Sequence, residues 1–153
     1  MRIIAFGDIH MDLAKIVDIP ALESADLLLL TGDLTNFGGR TDAKRILTAI
    51  RAINPNILAL AGNLDQPEVN SYLQAEDISL HGHGIMLNDL GIFGVGGSNQ
   101  TPFATPNEFS ENEIASLLGR GYTKVSAAKH HILVSHAPPF DTTADRLRKN
   151  THA

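Results

Sequence analysis

Residues 26–33 read DLLLLTGD: four consecutive leucines after Asp26, closed by Thr31, Gly32 and Asp33. An apolar run this short, with no polar face, is the pattern of a strand buried on both sides in a parallel sheet. The same phrase recurs on either side of it. Upstream, residues 2–10 run RIIAFGDIH to Asp8 and His10; downstream, residues 56–65 run NILALAGNLD to Asn63 and Asp65. Each stretch ends in glycine and then a side chain able to hold a cation, and Asp8-Ile9-His10, read as extended backbone, would point both donors the same way. Successive parallel strands lie side by side with right-handed crossovers, so their carboxyl ends form one ridge. The pattern predicts that Asp8, His10, Asp33 and Asn63 gather there as oxygen and imidazole donors suited to one or two divalent metals.

The segments between these strands fit crossovers. Residues 41–53 place Ile46, Leu47, Ile50 and Ile53 on one helical face and stop at Asn54-Pro55. Leu13, Ile16 and Val17 have helical spacing within 11–18, and Pro67 can open a short helix to about residue 75. From residue 78 the texture changes. ISLHGHGIML (78–87) and NDLGIFGVGG (88–97) are short, glycine-broken runs joined by a hairpin-like Asn88-Asp89. A second sheet beginning near residue 78 and packing on the first is expected. A polar loop then spans 98–109, and a helix over 110–118 starts with a Ser110–Glu113 capping box and stops at Gly119. A last strand, 130–135, delivers His136 ahead of Pro138-Pro139. The glycines at 91, 94, 96 and 97 lack dinucleotide-loop spacing and read as a glycine-rich strand. His81-Gly82-His83 reads as a surface turn, and His130 and His131 as strand residues.

A chain of 153 residues with no linker-like or low-complexity stretch is expected to form one domain. The absence of cysteine excludes disulfides, thiolate metal sites and a cysteine nucleophile, and fits a cytoplasmic location. No apolar stretch approaches the ~18 residues of a membrane span, and the N-terminal run is too short for a signal peptide, so no membrane partner is expected. A net charge of −5 argues against nonspecific nucleic-acid binding. The one basic cluster, Arg146, Arg148 and Lys149, reads as a solvated terminal segment.

In order and spacing, Asp8-x-His10, Gly32-Asp33, Gly62-Asn63-x-Asp65 and Ser135-His136 resemble the motif series of the calcineurin-like metallophosphoesterases, over nearly the whole chain. The resemblance implies an α/β fold, a two-sheet sandwich flanked by helices. It implies a metal-dependent phosphoesterase that hydrolyses a phosphodiester or monoester through a metal-bridged hydroxide. It further implies that Asp33 bridges two metals, that Asp8 and His10 hold one, and that Asn63 and His136 hold the other. Mn, Fe, Zn or Ni are all expected to suit such a site, because an oxygen and imidazole donor set does not choose sharply among them. The expected partner is a phosphate-ester small molecule or nucleotide, with Asn63 and Asn99 as candidate substrate contacts. Asp65 is expected to orient its loop. Taken singly, Asp8, Asp33 and Asn63 would pass for turn or cap residues; their series, with His10 and His136, argues for a metal centre.

Two departures from the pattern stand out. Leu64 occupies the position where the family commonly carries a histidine that stabilises the transition state or protonates the leaving group. The Gly-His-x-His motif that follows Ser-His in the family is missing; His152 is the only later histidine and stands as a candidate substitute acid. One reading is a catalytically inactive phosphoesterase-fold scaffold for protein binding. The reading favoured here is a truncated enzyme lacking the C-terminal strands of its second sheet, with weakened metal occupancy, low activity, and an uncovered sheet edge that invites a homo-oligomer.

Overall fold

The leucine run forms strand β2 (Leu27–Leu30), buried along its whole length. In the computed structural model, which describes residues 1–140, 142 and 143, β1 (Ile3–Phe6) and β3 (Ile57–Ala59) pair with it in parallel, in the order β1-β2-β3. Alternation along β2 divides its leucines between two cores. Leu28 and Leu30 pack with Ile46, Leu47 and Ile50 of α1 (Arg40–Ile53) and with Val69 and Leu73 of α2 (Pro67–Ala75). Leu27 and Leu29 face the opposite way, onto Leu58, Leu60, Leu80, Ile92 and Val134. The second core exists because a second sheet covers that face.

That sheet opens with β4 (His83–Leu87) and β5 (Leu90–Val95), an antiparallel hairpin turning at Asn88, whose φ is +55°. A two-residue parallel ladder follows, β6 (Ser98–Asn99) with β7 (Glu108–Phe109). Helix α3 (Glu111–Val125) then crosses to β8 (His130–Ser135), which runs parallel to β5 and completes the order β4-β5-β8. With α3 packed on β4 and β5 and α1 and α2 on the first sheet, the layers are helix, sheet, sheet, helix. This is the expected two-sheet sandwich flanked by helices. Among the described residues β8 pairs with β5 alone, and Leu133 beside that edge is 49% exposed. No helix among the described residues is long and apolar enough to cross a membrane.

Four expectations change. Helix α3 does not stop at Gly119 but continues to Val125. Gly119 faces open space and leaves the helix intact, whereas Gly121 is buried where the helix touches β4 and β5. Residues 11–18 form no regular helix. The Asp12 carboxylate accepts the Ala14 N–H at 3.0 Å, a local bond that competes with helix formation, and only single 3₁₀ turns form at Ile16–Asp18 and Leu22–Ser24. Residues 78–80 belong to the first sheet: Ala59 donates to Ile78 and accepts from Leu80, at 2.8 and 3.0 Å, so the second sheet starts at His83. The polar stretch 98–109 is built around β6 and β7 rather than being loop throughout.

Candidate metal centre

The ridge at the carboxyl ends of β1, β2 and β3 carries the donors, but not on extended backbone. Asp8, His10 and Asp33 all adopt left-handed φ values, +50°, +48° and +49°. Non-glycine residues take this conformation at a cost, and it clusters where structure is committed to chemistry. The strain is held in place by a backbone ladder. The N–H groups of Asp8, His10 and Met11 donate to the carbonyls of Gly32, Asp33 and Leu34 at 3.0, 2.9 and 3.1 Å, and Ile9 plugs into the core between the two donors. The expectation of an extended Asp8-Ile9-His10 is thereby corrected: left-handed backbone at Asp8 and His10, not a strand, brings the side chains together.

Asp33 is the centre of the arrangement. Its side chain is 5% exposed, and its two oxygens face different neighbours. Oδ2 lies 3.8 Å from Nε2 of His10, which is 3.7 Å from Oδ1 of Asp8. Oδ1 lies 3.6 Å from Nε2 of His136 and accepts the Leu64 N–H at 2.9 Å. One donor atom from each of Asp8, Asp33 and His136 falls within 4.8 Å of the others. Burial pushes the Asp33 carboxyl above its ordinary value; the Leu64 N–H and His136 pull it down, Asp65 raises it again, and His10 lowers it. Close backbone approach makes this possible. Gly32, at φ +118°, leaves room for the His136 ring, and a side chain at Gly62 would overlap the Asp33 carboxylate.

His136 sets what these groups can hold. Its Nδ1 sits 3.0 Å from the Thr31 carbonyl, which only accepts, so the ring proton of a neutral imidazole belongs on Nδ1. Nε2 then presents a lone pair toward Asn63 Oδ1 at 2.9 Å and Asp33 Oδ1 at 3.6 Å. In that tautomer His136 Nε2, Asn63 Oδ1 and Asp33 Oδ1 would converge as three lone-pair bearers, a donor set that a divalent cation fits by charge and type. On the other side of Asp33, Nδ1 of His10 is buried without a hydrogen-bond partner among the described residues.

Asp65 does not join the donors. Fully buried, it accepts from Thr35 N and Oγ1 at 2.8 and 2.7 Å, from Leu34 N at 3.1 Å and from Gly62 N at 2.8 Å, stitching the loop after β2 to the loop after β3. Asn99 lies on β6 in register with Phe109 and joins none of the hydrogen bonds around Asp33 and His136. His152 lies outside the described residues. His81 is a half-buried ring accepting the Gly96 N–H on Nδ1 at 3.1 Å, and burial, then Arg120, lower its proton affinity.

Sequence reasoning missed a second layer of support supplied by the polar stretch before β7. Asn107, 4% exposed, donates through Nδ2 to the Gly62 carbonyl at 2.9 Å and through its N–H to the Asn63 carbonyl at 3.2 Å. Thr105 Oγ1 accepts from Asn63 Nδ2 at 3.2 Å. No periodicity or local motif marks these residues in the sequence.

Comparison with known proteins agrees with this geometry. Residues 1–152 match the model of the calcineurin-like phosphoesterases, and the chain belongs to that family. It is 34% identical to the uncharacterized protein MJ1162 of Methanocaldococcus jannaschii over 154 aligned positions, spanning 99% of this chain and 68% of that protein. The crystal structure of TT1561 of Thermus thermophilus superposes with a TM-score of 0.69 at 14% identity, covering 92% of this chain and 69% of the other. A second solved structure superposes with a TM-score of 0.75 at 11% identity, over 98% and 74% of the two chains. Both structural matches speak for the fold.

Proposed function

We propose that this chain is a metal-dependent phosphoesterase acting on a phosphate-ester small molecule or nucleotide. The observation that carries the reading is the placement of buried Asp33 between two histidines, with Oδ2 3.8 Å from His10 Nε2 and Oδ1 3.6 Å from His136 Nε2. In this reading Asp8 and His10 would hold one cation and Asn63 and His136 another, with Asp33 able to serve both. Mn, Fe, Zn or Ni would suit the donors. Bound cations would acidify an attacking water and neutralise phosphoryl oxygens. The chain's own part is to hold five donors in register, keep the His136 proton on Nδ1 and leave Nε2 free. Leu64 can neither donate nor accept a proton through its side chain, so protonation of the leaving group is left to solvent or to residues beyond those described, and substrates with good leaving groups are favoured.

Leu64 also supports the second reading, a phosphoesterase-fold scaffold for protein binding. One experiment separates the two. The purified chain is assayed for bound metal and for turnover of bis-p-nitrophenyl phosphate with added Mn²⁺. Metal-dependent turnover that disappears in Asp33→Ala supports the enzyme; turnover unchanged by that substitution, or no metal binding at all, defeats it.

A further inference from the structure

The polar stretch ahead of β7 folds around one carboxylate. Glu108 accepts from Thr101 N at 3.1 Å, from Thr101 Oγ1 at 2.6 Å, from Thr105 N at 2.7 Å and from Thr105 Oγ1 at 2.6 Å. These bonds, those of the Thr101 and Thr105 hydroxyls foremost, hold the Glu108 carboxyl down at about 2. An ionised carboxylate only accepts, so the Thr105 hydroxyl proton is committed to it. The Thr105 oxygen can then only accept from its remaining neighbour, the Asn63 side-chain amide at 3.2 Å. The amide nitrogen must therefore face Thr105. Its oxygen is left on the opposite side, 2.9 Å from His136 Nε2.

We infer that Glu108 and Thr105 are positioning residues: the direction of one hydroxyl proton decides which atom of Asn63 is presented beside His136. Without that constraint the amide can rotate and offer –NH₂ where a cation needs a lone pair, and –NH₂ repels a cation. The backbone of Asn63 is held independently, by the Asn107 bonds to the Gly62 and Asn63 carbonyls. Loss of Thr105 should thus release the amide without releasing the loop. The consequence for metal rests on the proposed role of Asn63 as a ligand; the amide orientation does not.

The test uses the full chain and two readouts. In the first, Mn²⁺ alone is titrated calorimetrically into wild type, Thr105→Val, Thr105→Ser and Glu108→Gln. Thr105→Val removes the acceptor and is expected to weaken metal binding about 10- to 100-fold, the range typical of lost support behind a ligand. Thr105→Ser keeps the hydroxyl and should stay within about 3-fold of wild type by the same reasoning. Glu108→Gln lets the Thr105 hydroxyl turn either way and should fall between them. In the second, the Asn63 side-chain amide resonances are followed in metal-free protein. Thr105→Val should move them and speed their exchange with solvent, while Thr105→Ser should not. Metal binding in Thr105→Val equal to wild type, or a loss not restored in Thr105→Ser, overturns the inference. If wild type binds no metal, the functional reading fails. The amide readout still decides the orientation: unmoved Asn63 resonances in Thr105→Val overturn it.

Discussion

The two sheets use glycine and strand ends for opposite purposes. In the first, the chain leaving β1 and β2 turns left-handed at Asp8, His10 and Asp33, and Gly32 and Gly62 clear space for His136 and Asp33 respectively. In the second, Gly91 lies beneath Val125 and Ala128, and a side chain at Gly84 would collide with the backbone of α3 at Gly121. There, glycine lets a helix settle on a sheet. The second sheet contributes one donor to the cluster, His136 after β8, whose side chain is 12% exposed, between Asp33 at 5% and Asp8 at 73%. Chemistry is thus concentrated on one sheet and packing on the other, with Asp33 where they meet. Substitutions that break this division rank as follows.

Asp33→Asn should have the largest effect. It keeps the shape and removes the charge shared by both halves of the cluster, and metal-dependent turnover should fall by more than about 100-fold, beyond what loss of a supporting residue costs. Its effect on metal-free stability has the opposite sign. Burial raises the folded-state value of Asp33 above its ordinary 3.8. The stabilisation tied to the protonated form is therefore complete below 3.8 and is lost as pH rises through the folded-state value. In the presence of a chelator Asp33→Asn should melt higher than wild type at pH 7, and the gap should close on acidification. An equal or lower melting temperature at pH 7 would show that the carboxylate carries no burial penalty.

His136→Ala and His10→Ala sharpen the contrast between the halves. Each should remove one equivalent of Mn²⁺ from the titration, His136→Ala the tighter, because its partners Thr31, Asn63 and Asp33 leave the ring little freedom. Loss of both equivalents from His10→Ala would contradict two separable positions. Asp65→Ala tests the first sheet's support rather than its donors. It strands three buried N–H donors, those of Leu34, Thr35 and Gly62, and should lower the unfolding free energy measured in urea by at least about 3 kcal/mol.

The legible parts of the molecule were those in which a local pattern has one structural outcome. A four-leucine run ending in Gly-Asp can be little other than a buried strand delivering a carboxylate, and Ser110 with Glu113 does form a reciprocal capping box. Three such strand ends in series, with His136, carried the family and most of the candidate site. What escaped depended on partners distant in sequence. Thr105, Asn107 and Glu108 acquire their roles from Asn63 and Gly62, more than 40 residues upstream, and nothing local marks them. The left-handed turns at Asp8 and His10 were hidden for the same reason, since the ladder to Gly32 and Asp33 imposes them.

Gly119 and Gly121, two residues apart in α3, carry the contrast between open and contacted glycine to its smallest scale. Read locally, either is a helix stop, and Gly119 was expected to be one. In the structure an added Cβ at Gly119 meets nothing within 4 Å, whereas at Gly121 it would lie 2.9 Å from the His83 carbonyl oxygen and 3.3 Å from the Phe93 Cβ. Alanine in a helix interior is favoured over glycine by about 0.5–1 kcal/mol. Gly119→Ala should collect that gain and raise the melting temperature. Gly121→Ala gains the same propensity but drives a methyl group into backbone that can move only by lifting α3 off β4 and β5, a cost of about 1–3 kcal/mol that outweighs it. The two variants should therefore shift the thermal transition in opposite directions. If Gly121→Ala proves as stabilising as Gly119→Ala, the distance between α3 and the second sheet is not set by glycine, and the division of labour between the two sheets loses its packing half.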